Sequence, residues 1–214
     1  MGDDLSNLFY LIASICFILA LRGLSSPETS RAGAKFGMIG MVIAVATTLA
    51  APEVDSYWMI ALGVIIGAAI GAAIALRIEM TALPQLVAGF HSLVGLAAVL
   101  VAAAAFDAPE AYGIGTVGNI KTGSIIEMSL GAAIGAITFT GSCVAFAKLQ
   151  GLVSGKPLVF PMQHPLNAGL GLLMVLLCVL LIITQSPALF WMLVIVALAL
   201  GFLLILPIGG ADMP

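Results

Sequence analysis

A single histidine lies well inside a long apolar segment, and it is the side chain best suited to chemistry in this sequence. His91 stands seven residues past Pro84, which at about 1.5 Å per residue is roughly 10 Å into a helix. An imidazole titrates near neutral pH, and it can accept a proton on one nitrogen and release one from the other. Ionisable groups within a membrane span usually mark proton or ion pathways. We therefore expect His91 to carry protons; the alternative is a neutral histidine hydrogen-bonded to a neighbouring helix.

Three hydroxyl side chains and one acid lie in a second apolar segment. Thr138, Thr140 and Ser142 follow one another along it, and Thr138 lies roughly 20 Å from its outer end, close to the level of His91. Hydroxyls can order a chain of water molecules, although they often bond to the backbone of their own helix instead. Glu127, near the outer end, is either a proton entry point or an interfacial carboxylate.

Two further polar positions border the apolar segments. Asp212 ends the run Gly209-Gly-Ala-Asp212, in which paired glycines before an acid favour a tight turn. Its carboxylate either senses a domain docked below the membrane or is a solvated loop residue. His164 precedes a proline and is predicted to lie in a surface loop, and Asn167 is predicted to cap the helix that follows.

The elements that position these residues are membrane helices. Residues of the types AVILMFWYC make up 62% of the 214 positions and DEKR only 8%, against about 45–50% and about 25% in globular proteins. Seven Lys and Arg are too few for a nucleic-acid-binding surface. A membrane helix needs about 20 apolar residues, and the segments that qualify are 7–24, 36–52, 58–77, 84–106, 124–147, 167–184 and 188–207. The sequence predicts an all-α, polytopic transmembrane helix bundle of about seven spans, forming a single membrane domain over residues 1–214.

Positive charges predict the orientation of the bundle, because Lys and Arg collect in cytoplasmic connections. Six of the seven lie in or beside the first, third and fifth connections: Arg22, Arg31, Lys35, Arg77, Lys148 and Lys156. The fourth connection carries only Lys121. We therefore expect the N-terminus outside and the C-terminus in the cytoplasm.

Glycines at a spacing of four residues predict close packing of two helices. They are Gly63, Gly67 and Gly71 in the third span and Gly131 and Gly135 in the fifth. Small residues at this spacing let helix backbones approach closely in a membrane.

A glycine motif and the cysteines carry no cofactor chemistry. The run Gly113-Ile-Gly-Thr-Val-Gly118 has the spacing of a dinucleotide-binding loop, but it lies in an outward-facing connection without a preceding soluble strand. Cys16, Cys143 and Cys178 lie in apolar segments and lack metal-ligand spacing. We therefore expect this chain to bind no cofactor and no metal.

Several stretches, taken in order along the whole chain, resemble one family. They are Leu24-Ser-Ser-Pro-Glu-Thr-Ser-Arg31, the run from Glu79 through His91 to Leu100, Thr138-Phe-Thr-Gly-Ser142 with Ala145-Phe-Ala-Lys148, the turns from Lys156-Pro-Leu to His164, and Gly209-Gly-Ala-Asp212-Met-Pro. Together they resemble the beta subunit of proton-translocating NAD(P)+ transhydrogenase, and the run through His91 is the most specific.

The resemblance implies roles for the candidate residues. His91 would be the family's membrane histidine and central proton carrier, Ser142 would line the path, and Asp212 would lie at the interface with an NADP(H)-binding domain. Glu127 falls where the family often has an acid. The family's membrane domain couples hydride transfer between NADH and NADP+ to proton movement across the membrane. This chain would be that proton-translocating part and would not itself transfer hydride.

The resemblance also implies what lies outside the chain. The family's beta subunit continues with two more spans, one of which carries a polar asparagine, and with the soluble NADP(H)-binding domain. The chain is therefore expected to be a partial subunit, with NADP(H) and NAD(H) bound elsewhere in the complete enzyme. Expected partners are the lipid bilayer and an alpha subunit with an NAD(H)-binding domain and extra membrane helices. The expected assembly is a homodimer of the alpha/beta unit in a bacterial inner membrane.

Two other classes of function remain open at this stage. A proton-coupled secondary transporter of a small solute predicts an internal repeat with broken helices in matching halves, and the first and last spans show no convincing repeat. A structural membrane subunit that docks a soluble redox domain predicts that His91 can be replaced without loss of function.

Overall fold

The computed structural model describes residues 3–51, 54 and 56–213, and most of them are helical. The long helices are α1 (Asp3–Leu24), α2 (Ser30–Leu49), α3 (Tyr57–Ala75), α4 (Leu83–Asp107), α5 (Thr122–Leu149), α6 (Gln163–Thr184) and α7 (Pro187–Ile205). Short 3₁₀ helices lie at Met80–Ala82, Pro109–Tyr112 and Gly210–Asp212. The described residues contain seven helices that are long and apolar enough to cross a membrane. The predicted all-α, polytopic architecture of a multi-pass membrane protein is therefore confirmed.

Helices α2 and α6 begin earlier than predicted. Helix α2 begins at Ser30 instead of position 36, and α6 begins at Gln163 instead of position 167. Two predictions are therefore wrong: His164 lies in the first turn of α6 and not in a loop, and Asn167 lies inside the helix and does not cap it. Pro165 is accommodated because the first amide groups of a helix have no intrahelical acceptor. Hydropathy locates only the apolar stretch, and polar residues at its border continue the helix.

The first compact unit covers residues 1–76, and in it α1 and α2 pack as an antiparallel pair. Glycines allow the two backbones to approach closely. A Cβ atom added at Gly23 would lie 2.5 Å from the Cα atom of Gly33, and one added at Gly40 would lie 3.0 Å from the Cβ atom of Cys16. A side chain at Gly23 or Gly33 would force the two backbones apart.

Helix α3 belongs to the same unit, but its glycine stripe contacts nothing that the structure describes. A Cβ atom added at Gly63, Gly67 or Gly71 would meet no atom within 4 Å. The close packing predicted for this stripe is thus not found within the described part of the chain. Pro52, the predicted end of the second span, lies outside the described residues.

The second compact unit covers residues 77–214 and is built around α5, which packs against α4, α7 and α6. Helices α4 and α5 approach most closely at their glycines, because a Cβ atom added at Gly135 would lie 2.8 Å from the carbonyl oxygen of Gly95. The buried core lies mainly where α4 and α6 end and where α5 and α7 begin. Its most deeply buried side chains include Ile125, Ala132, Leu181, Phe190 and Leu193. The other half of the bundle is more open.

A small β-hairpin lies at the end of this unit that contains the buried core. Strands β1 (Gly115–Thr116) and β2 (Asn119–Ile120) pair antiparallel in the connection from α4 to α5. Gly113 and Gly118 take positive φ angles of 64° and 78°, a region that favours glycine. The glycine spacing that resembles a dinucleotide-binding loop therefore serves a tight turn.

Gln185, at the end of α6, holds the hairpin by two hydrogen bonds, and we expect its replacement to destabilise the protein. Its Nε2 donates to the carbonyl oxygen of Ile120 at 3.0 Å, and its Oε1 accepts from the Ile120 amide at 2.7 Å. Ile120 is buried, so Gln185→Ala leaves the backbone amide and carbonyl of Ile120 without these partners. An unsatisfied buried polar group typically costs about 1–3 kcal/mol. We expect a lower midpoint of thermal unfolding for the detergent-solubilised protein. Gln150→Ala, at an exposed glutamine, is the matched control, and equal midpoints for the two variants would refute this role of Gln185.

Candidate functional site

Two glycine contacts determine the register of α4 against α5. A Cβ atom added at Gly95 would lie 2.6 Å from the backbone nitrogen of Phe139, and one added at Gly89 would lie 3.6 Å from the Cδ2 atom of Phe146. The candidate histidine stands between these two glycines on α4. The candidate serine stands between these two phenylalanines on α5. The fold therefore brings the two side chains to the same level of adjoining helices.

His91 and Ser142 occupy the facing sides of those helices. His91 precedes Gly95 by four residues and Ser142 follows Gly135 by seven, spacings that return to the same helix face. His91 is exposed and Ser142 is half-buried, and neither side chain forms a hydrogen bond to another described residue. The neighbouring Ser92 is buried and donates to the backbone of its own helix. The imidazole is therefore open to water or to groups beyond the described residues.

The other two hydroxyls of α5 have different surroundings. The Thr140 hydroxyl lies 2.8 Å from the carbonyl oxygen of Leu198 in α7 and 3.1 Å from that of Ala136 in its own helix. The bond to Ala136 is the one that the helix-bonding alternative predicts, and the bond to Leu198 also ties α5 to α7. Thr138 is half-buried and has no side-chain hydrogen bond within the described part of the chain. It lies one helical turn from Ser142, so these two hydroxyls remain available to order water.

Glu127 and Asp212 lie far from the histidine, at opposite ends of the second unit. Glu127 is exposed in the second turn of α5, and 15 residues separate it from Ser142, about 22 Å along the helix. Asp212 is exposed in the 3₁₀ helix after α7. The amide of Gly210 in that turn donates to Gly155 O at 2.8 Å, which places it beside the connection that leaves α5. Of the four predicted residues, His91 and Ser142 therefore lie at the same level, while Glu127 and Asp212 each lie apart from them.

Lys148 is a buried cation. It lies beside the fifth connection, as predicted, but its side chain is only 6% exposed and α5 continues to Leu149. Its Nζ donates to backbone carbonyl oxygens at the end of α7. Helical spacing would have indicated this, because Lys148 lies seven residues after Gly141. A Cβ atom added at Gly141 would lie 3.1 Å from the Ile205 side chain of α7.

The described residues contain no group of three His, Cys, Asp or Glu side chains that could hold a metal ion. An apolar cavity of about 510 Å³ lies beside Lys148, between the ends of α5 and α7 and the connection after α5. Its lining includes Cys143, Pro157, Phe202 and Leu206. The arrangement offers one imidazole, free hydroxyls and a buried cation, which suit proton handling better than cofactor binding.

Comparisons with known proteins agree with the resemblance seen in the sequence. The chain matches the family model described as NAD(P) transhydrogenase beta subunit over residues 6–214. Two curated relatives from Rhodospirillum rubrum, one of them from a defined strain, are both named NAD(P) transhydrogenase subunit beta and are 60% identical over 214 residues. The alignments cover 100% of this chain and 46% of each relative, so the chain spans about half the length of the curated relatives it matches. With a match over nearly its whole length, the chain belongs to the NAD(P) transhydrogenase beta subunit family.

Proposed function

We propose that this chain is the membrane-spanning, proton-translocating part of an NAD(P) transhydrogenase. The complete enzyme would couple hydride transfer between NADH and NADP+ to proton movement across the membrane. The observation that carries the proposal is the position of His91 at the level of Ser142 on adjoining apolar helices. The imidazole is exposed and has no hydrogen-bond partner among the described residues. Such groups are costly in a membrane and usually serve ion or proton pathways.

The proposed path runs along α5 to the imidazole. A proton from the outer side enters near Glu127 and reaches His91 through water ordered by Thr138 and Ser142, since hydroxyls both donate and accept hydrogen bonds. Protonation changes the charge at the interface of α4 and α5. Coupling then requires two states of the bundle that bind this proton with different affinity.

The charge on His91 would act on the cytoplasmic end of the bundle. The segment from Arg77 to Pro84 leads into the helix of His91, and Asp212 lies beside the connection that leaves α5. Movement of these segments would change how an adjoining domain binds NADP(H), and the proton would leave on the cytoplasmic side. His91 thus holds and transfers the proton, while Asp212 reports its presence to the adjoining domain.

The charge distribution supports the proposed orientation even after Lys148 is set aside as a buried residue. Of the remaining six positive residues, five lie in or beside the first, third and fifth connections and one lies in the fourth. This asymmetry favours an N-terminus outside and a C-terminus in the cytoplasm.

The proposed setting is a bacterial inner membrane. The proposed partners are an alpha subunit that binds NAD(H), the NADP(H)-binding domain and a second alpha/beta unit.

A segment exchange tests the proposal. These 214 residues replace the matching segment of the Rhodospirillum rubrum beta subunit, and the hybrid is co-expressed with its alpha subunit in a host without transhydrogenase. Membrane vesicles then report hydride transfer by absorbance and proton movement by a pH-sensitive dye. We expect hydride transfer to drive a dye response that a protonophore abolishes.

The other classes of function give different results in the same assay. Hydride transfer without a dye response would indicate a subunit that only docks a soluble redox domain. Proton uptake that follows a small solute and not hydride transfer would indicate a secondary transporter. Either result would overturn the proposal.

A further inference from the structure

Lys148 supplies the acceptors at the end of α7 with a positively charged donor. The last carbonyl groups of a helix have no intrahelical partner and carry partial negative charge. The Lys148 Nζ donates to the carbonyl oxygen of Leu206, to that of Ile208 at 2.7 Å and to that of Ile205 at 3.4 Å. An ammonium group has three hydrogens and no acceptor, so the number of donors matches the number of carbonyls.

The same place joins the connection after α5 to the chain after α7. The carbonyl oxygen of Leu206 also accepts from the amide of Leu158 at 3.1 Å, and the amide of Gly210 donates to Gly155 O at 2.8 Å. Asp212 lies two residues after Gly210, in the same 3₁₀ helix. Lys148 therefore stands where α5, the connection after it and the turn of Asp212 meet.

We propose that Lys148 is a positioning residue that ties the end of α7 and the Asp212 turn to α5, so that proton movement along α5 is transmitted to Asp212. The inference rests on the proposed function. Lys148 follows Ser142 by six residues on one rigid helix, about 9 Å, so a displacement of α5 at Ser142 moves the ammonium group. The cavity of about 510 Å³ beside Lys148 leaves room for that movement.

Two variants of Lys148 in the hybrid enzyme test the functional part of the inference. Lys148→Met keeps a flexible, unbranched side chain that is one atom shorter and has no donor, and Lys148→Arg keeps the charge and several donors. We expect Lys148→Met to lower the number of protons moved per hydride at least fivefold while hydride transfer continues, and Lys148→Arg to restore at least half of the ratio. A merely structural role would lower both activities together and leave the ratio unchanged. Lys148→Leu, which also has no donor, takes the place of Lys148→Met if the latter does not accumulate in the membrane.

A cross-linking rate tests, independently of enzyme activity, whether Lys148 holds the Asp212 turn against the connection after α5. A Cβ atom added at Gly210 would lie 3.5 Å from the Cα atom of Gly155. Cysteines at these positions should therefore form a disulfide when an added oxidant, copper phenanthroline, takes up the two electrons, once the native cysteines are replaced by alanine. We expect Lys148→Met to slow this cross-link at least fivefold. Lys35→Met removes an exposed positive charge that is adjacent to neither cysteine and should leave the rate unchanged.

The outcomes separate the two proposals. An unchanged proton ratio or an unchanged cross-linking rate in the Lys148 variant would overturn the role of Lys148, even if the hybrid enzyme pumps protons. If the hybrid enzyme transfers hydride but moves no protons, the proposed function fails, and with it the coupling role of Lys148. In that case a slowed cross-link would show that Lys148 only holds the turn in place.

Discussion

His91→Asn is expected to lower hydride-driven proton movement at least about 100-fold in the hybrid enzyme, the lower end of what a positioned proton-transfer group contributes. Asparagine keeps a polar side chain of similar size but cannot take up a proton near neutral pH. The amount of enzyme in the membrane should not change, because the exposed imidazole forms no hydrogen bond within the described part of the chain. The measurement is the dye response per hydride transferred, normalised to the amount of assembled enzyme.

His164→Asn is the matched control, since these are the two histidines of the chain. His164 is exposed in the first turn of α6, and its replacement should leave proton movement within about twofold, as surface substitutions away from special features usually have small effects. Full proton movement in the His91 variant would remove the imidazole from the mechanism.

Gly95→Val is expected to separate α4 from α5 and so to destroy the site between them. An added Cβ atom would lie 2.6 Å from the backbone nitrogen of Phe139 and 2.7 Å from the carbonyl oxygen of Gly135. Neither backbone atom can move aside as a flexible side chain would. Overpacking of this kind typically costs about 1–3 kcal/mol. We expect a lower unfolding midpoint for the solubilised enzyme and loss of proton movement in whatever enzyme remains assembled.

Gly131→Val tests the same substitution at a glycine of α5 where an added Cβ atom meets nothing within 4 Å. This variant should unfold at the temperature of the unmodified enzyme. If the Gly95 and Gly131 variants have equal midpoints, the glycine contact does not determine the register of α4 and α5, and the alignment of His91 with Ser142 loses its support.

The spans could be predicted because crossing a membrane imposes a length and an apolar composition on each helix. The ends of the helices could not, since polar residues continue α2 to Ser30 and α6 to Gln163 beyond the apolar stretch that hydropathy detects. His164 and Asn167 were misplaced for this reason.

Packing was less predictable than the spans. The stripe of Gly63, Gly67 and Gly71 has the same spacing as Gly131 and Gly135, yet an added Cβ atom meets a neighbouring helix only at Gly135. Spacing shows that a helix is able to accept a close neighbour, but the neighbour depends on how the whole bundle assembles. Gly95, which forms the other half of that contact, belongs to no repeat.

The candidate site was predictable where chemistry alone singles out a residue. His91 is conspicuous because imidazole is rare in an apolar span, whereas the alternatives for each hydroxyl could be separated only by contacts between helices. Thr140 bonds to Leu198, a residue 58 positions away. Lys148 bonds to carbonyl groups at a similar separation, so its position beside the fifth connection gave no sign that its side chain is buried against the end of α7.

The proposed mechanism requires His91 to bind its proton with different affinity in two states of the enzyme. Nitrogen-15 NMR of labelled histidine, in hybrid enzyme that carries His164→Asn, follows the titration of His91 once the spectrum of the His91→Asn variant is subtracted. The titration is recorded with NADP+ and again with NADPH. We expect two different titration midpoints, and a single midpoint shared by both nucleotide states would contradict the proposed mechanism.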